Sequence, residues 1–244
     1  CLSYYDGLKS IVIENEQGNY TTPSMLYLSK DSPEILYGDT VLNLLKSNNN
    51  NEYLNNIFDN LKRLVGKNLS SFNENSELKQ TFSRQLDVLS ENENGEVCFN
   101  IMYNNKQQLF TVSALISIYL NYIKQLVIIR FNEAIMYDVV ITVPVYFNDN
   151  QRNILKECCE HVGFNVIRII NEPTSASLGY AFTNSFENDC VEYILAFDSG
   201  CGTTDLTLLN MDYSNKMYKV ENSIGNNFLG GDDITNLLVE YTVE

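Results

Sequence analysis

The chain is short of base. Sixteen Lys and Arg stand against 31 Asp and Glu, a formal net charge of −15. Neutralising a phosphate backbone takes basic patches, which argues against a broad nucleic-acid surface. A single nucleotide is a different matter, because a backbone cradle with one divalent cation outweighs a distant negative field. There is one histidine, His161, too few to complete a zinc set. The six cysteines, Cys1, Cys98, Cys158, Cys159, Cys190 and Cys201, contain no CxxC pair and no metal-ligand spacing. They read as buried free thiols of a reducing compartment, hence cytoplasmic. No run approaches the ~20 apolar residues of a membrane span. The richest region, 114–131, is interrupted by Asn121, Lys124, Gln125 and Arg130, so no membrane partner is expected. The first residue is Cys1, not Met, which reads as a fragment and makes a missing leader uninformative.

What is present is ordinary for a globular chain: 44% apolar and 19% charged residues, with 244 in all. That length suffices for one large domain or two lobes. One stretch organises the rest: Phe197-Asp198-Ser199-Gly200-Cys201-Gly202-Thr203-Thr204-Asp205. An apolar run, 193–197, leads in and an alternating run, 206–211, leads out, which spells strand, glycine-rich turn, strand. Gly200 and Gly202 are expected to take positive φ and let the backbone approach a ligand. Successive N–H groups in such a turn form a concave anion site. Asp198 and Asp205 bracket it, as a cation shared by phosphate and carboxylate would require. The pattern reads as a magnesium-nucleotide site or, equally, as a plain hairpin with capping aspartates.

Along the chain, 1–5 and 10–13 read as strands turned at Asp6-Gly7, and 25–28 as a strand. Residues 40–46 are helical, 47–51 a polar asparagine-rich loop, and 57–65 a short helix stopped by Gly66. Lys62 and Arg63 within it read as a solvated basic face. Residues 67–110 form a polar peripheral subdomain with a hairpin at 97–103 and 107–111, turned at Asn104-Asn105. The longest helix is 113–131, with Leu115, Ile118, Tyr119, Tyr122, Ile123 and Leu126 along its stripe. Strand 139–143, ended by Pro144, has the continuous apolar character of a strand covered on both faces. Asn148-Asp149 caps a helix over 150–161, and 166–170 is the next strand. Asn171-Glu172-Pro173-Thr174 then opens a helix to about Phe182. Glu172 therefore sits at a strand's C-terminal end, where α/β sheets bind ligands; complementing the helix dipole is the alternative. Residues 183–192 are a polar connection. A strand at 217–222 follows the organising turn, and then Gly230-Gly231 before a helix offers a second anion contact. Residues 1–15 look like the second and third strands of the unit formed by 193–244. Two such units with facing turns would clamp a nucleotide.

These stretches together resemble the ATPase domain of the seventy-kilodalton heat-shock chaperone family, within the actin-like ATPase superfamily. The run from Val140 through Val143-Pro144-Val145-Tyr146-Phe147-Asn148-Asp149-Asn150-Gln151-Arg152 is close to a family signature. So is Arg168-Ile169-Ile170-Asn171-Glu172-Pro173-Thr174-Ser175-Ala176, and 1–7, 13–24, 61–66, 197–205 and 225–233 support both. The resemblance implies an α/β, actin-like (ribonuclease H-like) two-lobed fold, incomplete in this chain. Residues 1–182 would be the first lobe, with 25–110 inserted, and 183–244 the start of the second. It implies ATP or ADP with Mg2+, and slow water attack on the γ-phosphate driven by positioning and electrostatics. By the same resemblance Lys62 reaches the terminal phosphate and the attacking water. Glu172 holds a water of the metal shell, Asp198 positions or deprotonates a metal-bound water, and Asp205 supports that shell. Gly200, Cys201, Gly202 and Thr203 cradle the β- and γ-phosphates, with Gly230 and Gly231 nearby. Pro144 and Arg152 form an interdomain switch. Implied partners are unfolded client peptides, held by a C-terminal domain outside this sequence, J-domain co-chaperones and nucleotide exchange factors.

The family usually has Leu, Gly and Phe where this chain has Ser199, Cys201 and Thr204. A side chain at 201 would cost about 1 kcal/mol or more if its φ were positive. An ATP-binding, hydrolysis-poor regulator akin to the exchange-factor relatives is therefore the second reading, and a filament-forming actin-like protein the third. Ser113-Ala114 replaces the acidic pair that usually opens the long helix. The family's first phosphate loop and adenosine segments do not occur in this sequence, so the fragment alone is expected to bind ATP poorly and to be inactive.

Overall fold

The computed structural model describes residues 1–47, 51–132, 137–183, 191–215 and 217–243. They fall into two compact units, Cys1–Tyr137 with Ile154–Asn165, and Asp138–Asn153 with Val166–Glu244. Asn48–Asn50 of the asparagine-rich loop, 184–190 of the polar connection and with them Cys190 lie outside the described residues.

The first unit opens with β1 (Ser3–Tyr5) and β2 (Ser10–Val12), an antiparallel hairpin. Asp6 makes the turn, its Oδ1 accepting from the N–H groups of Leu8 and Lys9, both at 2.8 Å. β3 (Leu26–Leu28) and β4 (Ile35–Tyr37) are followed by α1 (Gly38–Ser47) and β5 (Ile57–Phe58). β3 pairs antiparallel with both β4 and β5. Ile57 and Phe58 are thus strand, not the start of a helix. Pairing with β3 buries both fully, and that outweighs helical apolar spacing over so short a run. Only a 3-10 turn, Leu61–Leu64, is helical, entered through Asn60 at φ +52°. Arg63 is 2% exposed and donates from Nη1 to Thr81 Oγ1 at 2.8 Å. The two bases are therefore not a shared solvated face; Lys62 is half-buried and Arg63 belongs to the core.

Residues 67–96 are more ordered than their polar composition suggests. α2 (Leu69–Glu74) and α3 (Ser76–Thr81) are capped by asparagines, Asn68 Oδ1 accepting from Ser71 N and Asn75 Oδ1 from Leu78 N. β6 (Leu89–Glu91), β7 (Val97–Tyr103) and β8 (Lys106–Thr111) make an antiparallel sheet. Asn104 and Asn105, at φ +49° and +59°, supply the two left-handed residues of the tight β7–β8 turn. Phe99 of β7 meets Phe58 edge-on, centroids 4.9 Å apart, and joins a core that includes Phe72, Leu78 and Phe82.

α4 (Val112–Phe131) begins where Thr111 Oγ1 accepts from Ala114 N at 3.0 Å. Leu115, Tyr122 and Leu126 are buried, while Ile118, Tyr119 and Ile123 are half-buried. Contrary to expectation, this helix is long and apolar enough, by length and composition, to cross a membrane. Its inner face packs on β7 and β8. Polar groups also tie it down: Tyr122 OH donates to Glu16 Oε2 at 2.6 Å and Lys124 Nζ to Val162 O at 2.7 Å.

Of the described cysteines, Cys98, Cys158 and Cys159 are buried, whereas Cys1 and Cys201 are exposed, so the expectation of buried thiols holds for three. Burial pushes the Cys158 thiol up, and burial with the Cys158 and Glu160 charges pushes Cys159 up to about 12. At pH 8 both are protonated. Iodoacetamide is expected to label Cys1 and Cys201 in the native protein and Cys158 and Cys159 only after unfolding. Native labelling of Cys159, read by mass spectrometry, would contradict this packing.

β9 (Tyr137–Val143), α5 (Asp149–His161), β10 (Phe164–Asn171) and α6 (Glu172–Thr183) follow in the chain. β9 pairs with β10. The expectation that β9 is covered on both faces is not met among the described residues. Its side chains alternate, with Val140 49% exposed, and Ile167 of β10 is 59% exposed. The continuous apolar run records two apolar faces, one of which lies open here.

β11 (Val191–Ser199), β12 (Thr204–Asp212) and β13 (Met217–Asn226) form an antiparallel sheet, followed by α7 (Gly231–Val243). α6 packs on β11 and β12. The β12–β13 pairing carries a bulge. Leu209 faces Val220 while Leu208 faces Asn222, which leaves Glu221 as the extra residue.

Candidate functional site

The organising stretch forms the predicted strand, turn, strand. Ser199 pairs with Thr204, and Asp198 lies directly opposite Asp205. Gly200 N donates to Thr203 O at 2.9 Å, closing the turn. Gly202 through Asp205 are buried, Asp205 completely, while Gly200 and Cys201 face solvent. Cross-strand partners share a face with their Cβ atoms ~5 Å apart, so two carboxylates are held side by side there. Like charges so placed repel, and a cation between them would reverse the sign of the interaction.

One expectation is corrected. Gly200, Cys201 and Gly202 are not among the residues with positive φ. The turn needs no left-handed backbone at 201, so the cysteine carries no such strain. Glycine is required for close approach elsewhere. A Cβ on Gly230 would fall on the carbonyl oxygen of Cys201, with the carbonyl carbons of Cys201 and Gly202 2.6 and 2.7 Å away. A Cβ on Gly225 would fall on Asp205 Oδ1, with Tyr146 Cδ1 at 3.7 Å. Gly225 lies inside β13, which runs to Asn226 and not only to residue 222. An isolated glycine within a strand is the signal that could have marked it.

The second glycine turn docks on the first. Gly231 N donates to Gly200 O at 3.0 Å, and Asp232 N to Cys201 O at 2.8 Å. Gly230 N donates to Asp233 Oδ2 at 2.8 Å. Two turns separated by some thirty positions thus form one surface at the start of α7, whose first N–H groups are used to dock the turns on each other.

Glu172, half-buried, is the first residue of α6. Its neighbour Asn171 accepts from Arg152 Nη2 at 2.8 Å, and Arg152 Nε donates to Phe147 O at 2.9 Å. Phe147 N in turn donates to the O of buried Pro144 at 3.2 Å. Pro144, Arg152 and the residue before Glu172 are therefore one hydrogen-bonded chain. Asn148 and Gln151 fix the start of α5 reciprocally: Asn148 N donates to Gln151 Oε1 at 3.0 Å and Gln151 N to Asn148 Oδ1 at 2.9 Å. Lys62 belongs to the first unit and stands in its 3-10 turn. A groove in that unit, lined in part by Tyr37, Ser117, Cys158 and His161, contains none of the predicted site residues.

Among the described residues no three His, Cys, Asp or Glu side chains converge to hold a metal by themselves. The donor set suits Mg2+ in another way. Mg2+ keeps several waters and takes one or two carboxylates together with substrate phosphates, and Asp198 facing Asp205 beside backbone N–H groups is that chemistry.

A family model for Hsp70 protein matches residues 1–244. A ribosome-associated molecular chaperone of Eremothecium gossypii is 33% identical over 100% of this chain and 37% of its own length. The heat shock 70 kDa protein of Neurospora crassa is 30% identical over 100% of this chain and 35% of its own. A ribosome-associated molecular chaperone of Saccharomyces cerevisiae is 32% identical over 100% and 37%. The chain spans little more than a third of these relatives' length.

Proposed function

The chain belongs to the Hsp70 protein family, and on that premise we propose that it is part of the ATP-hydrolysing domain of a molecular chaperone. The observation that carries the reading is the docking of the Gly230-Gly231 turn onto the 199–204 turn beside the Asp198–Asp205 pair. In this reading the α/β architecture is that of an actin-like ATPase, with the first lobe over 1–182 and the second beginning at 183.

The backbone N–H groups of Cys201, Gly202 and Thr203 hold the β- and γ-phosphates, and Gly200, Gly230 and Gly231, whose own N–H groups close and dock the two turns, line the cradle beside them without side-chain bulk. Mg2+ when bound would neutralise charge on the phosphate oxygens. Asp198 and Glu172 would hold it through water, with Asp205 supporting the shell. Asp198 orients the attacking water and takes its proton, and Lys62 places its ammonium beside the terminal phosphate. Glu172 passes the state of the site onward, through Asn171, to Arg152 and Pro144. Unfolded client peptides, J-domain co-chaperones and nucleotide exchange factors are the partners this reading implies, in the cytoplasm. A regulator that binds ATP but hydrolyses it poorly is the second reading, favoured by Ser199, Cys201 and Thr204 in the turn.

Single-turnover ATP hydrolysis by the full-length protein with Mg2+ tests this. Wild type should turn over slowly, and Lys62→Ala should slow it ~100-fold or more. Tight ATP binding without turnover in either protein would establish the regulator. Equal turnover in both would remove Lys62 from the mechanism.

A further inference from the structure

The three departures at the turn include two side chains that hold each other. Thr204 Oγ1 donates to Leu229 O at 2.5 Å, and Ser199 Oγ lies 2.9 Å from the same Thr204 oxygen. A hydroxyl has one proton. Thr204 gives its proton to Leu229, so Ser199 is the donor in the other bond. The result is a directed relay, Ser199 to Thr204 to the Leu229 carbonyl, in which each bond polarises the next. At the far end of the same turn Cys201 Sγ donates to Asp232 Oδ1 at 2.9 Å. Leu229 and Asp232 flank Gly230-Gly231. The second glycine turn is thus pinned at both ends by residues of the first. The Thr204 end is the stronger pin. Thr204 is 6% exposed and shielded from competing water, whereas Cys201 is exposed and a thiol is a weak donor.

We propose that Thr204 is a positioning residue. Through the Leu229 carbonyl it fixes the Gly230-Gly231 turn against the 199–204 turn, so that the first turn is braced from behind and holds one rigid shape toward a phosphate chain. Ser199 orients the Thr204 hydroxyl for that bond. The proposal rests on the nucleotide-site reading above. The family's usual Phe at this position has no hydroxyl to make the bond, so the device belongs to this chain's own residues. No strand-pairing or core contact requires it: Thr204 is already placed by its pairing with Ser199 and Asn226.

The test compares wild type, Thr204→Val and Thr204→Ser in the full-length protein. Amide hydrogen exchange over 229–232 is read without nucleotide, ADP affinity is read by calorimetry, and thermal melting checks the fold. Thr204→Val should exchange faster at Gly231 and Asp232 and bind ADP about five- to tenfold more weakly. Thr204→Ser keeps the hydroxyl and should restore both. A merely structural threonine would lower the melting temperature without this rescue of affinity by serine. Unchanged exchange in Thr204→Val would overturn the pin. Faster exchange with unchanged ADP affinity would overturn the positioning role. Should Thr204→Val fail to fold, Ser199→Ala carries the test, because exposed Ser199 can lose its hydroxyl without a cavity. It should weaken ADP about two- to threefold, and no change would sink the relay. Wild type that binds no ADP would overturn the functional reading and the positioning role together, with hydrogen exchange still deciding whether the two turns are pinned.

Discussion

Asp198→Asn in the full-length protein should bind ATP nearly as wild type does and hydrolyse it at least about a hundredfold more slowly. The substitution keeps shape and hydrogen-bonding reach. It removes the charge and the basicity that orient and deprotonate the attacking water in the proposed mechanism. A second readout separates this from simple damage to the fold. Asp198 faces Asp205 directly across the β11–β12 ladder, and like charges directly opposite are destabilising, on a scale of about 0.2–1 kcal/mol. Without Mg2+ and nucleotide the variant should therefore melt at or slightly above the wild-type temperature. Adding both should stabilise the two proteins to a similar extent, because ligand stabilisation follows affinity. Unchanged turnover would remove Asp198 from the chemistry, and a large fall in melting temperature would mark it as structural.

Gly230→Ala should be the most damaging small substitution at the site, and Gly231→Ala next to it nearly silent. A Cβ on Gly230 meets the backbone of Cys201 and Gly202, which cannot rotate aside as a side chain would. One turn must move off the other, breaking the bonds from Gly231 N to Gly200 O and from Asp232 N to Cys201 O. Overpacking of this kind costs about 1–3 kcal/mol. It acts where the two turns meet, so nucleotide affinity should fall more than tenfold. A Cβ on Gly231 finds its nearest neighbours, Gly200 O and Cys201 Cα, at 3.8 and 3.9 Å, an ordinary contact. Thermal melts and ADP titrations of the two variants side by side check the contrast. Equal effects would mean that the turns do not meet as described.

The strand, turn, strand around Asp198 was readable because glycine spacing and apolar alternation are local signals, and so was the Asn104-Asn105 hairpin. Glu172 was placed correctly at the start of its helix, since Pro173 marks a first turn. Where strands and buried charge differ from what the sequence suggests, the cause is pairing or packing with residues far along the chain. Ile57 and Phe58 became strand because Leu26 and Tyr27 pair with them. Arg63 went inside because Thr81 receives it. The helices at 69–81 were hidden by polar composition, although Asn68 and Asn75 are good caps. At the site itself the glycines serve by absence of bulk against a neighbouring segment, which no spacing within the turn encodes. Nothing local to Thr204 announces a bond to a carbonyl twenty-five residues on.

The extra residue Glu221 gives the β12–β13 pairing an error check. If the pairing that sets Val220 against Leu209 simply continued, residue by residue, Ile224 rather than Gly225 would arrive opposite Asp205. A branched side chain would then occupy the space in which the carboxylate now touches a bare backbone. The smooth ladder, usually the default for two strands zipping from their far end, is here the wrong one, and the site itself rejects it. Only the interrupted pairing lets the strand close, so a correctly closed strand already carries a correctly seated carboxylate.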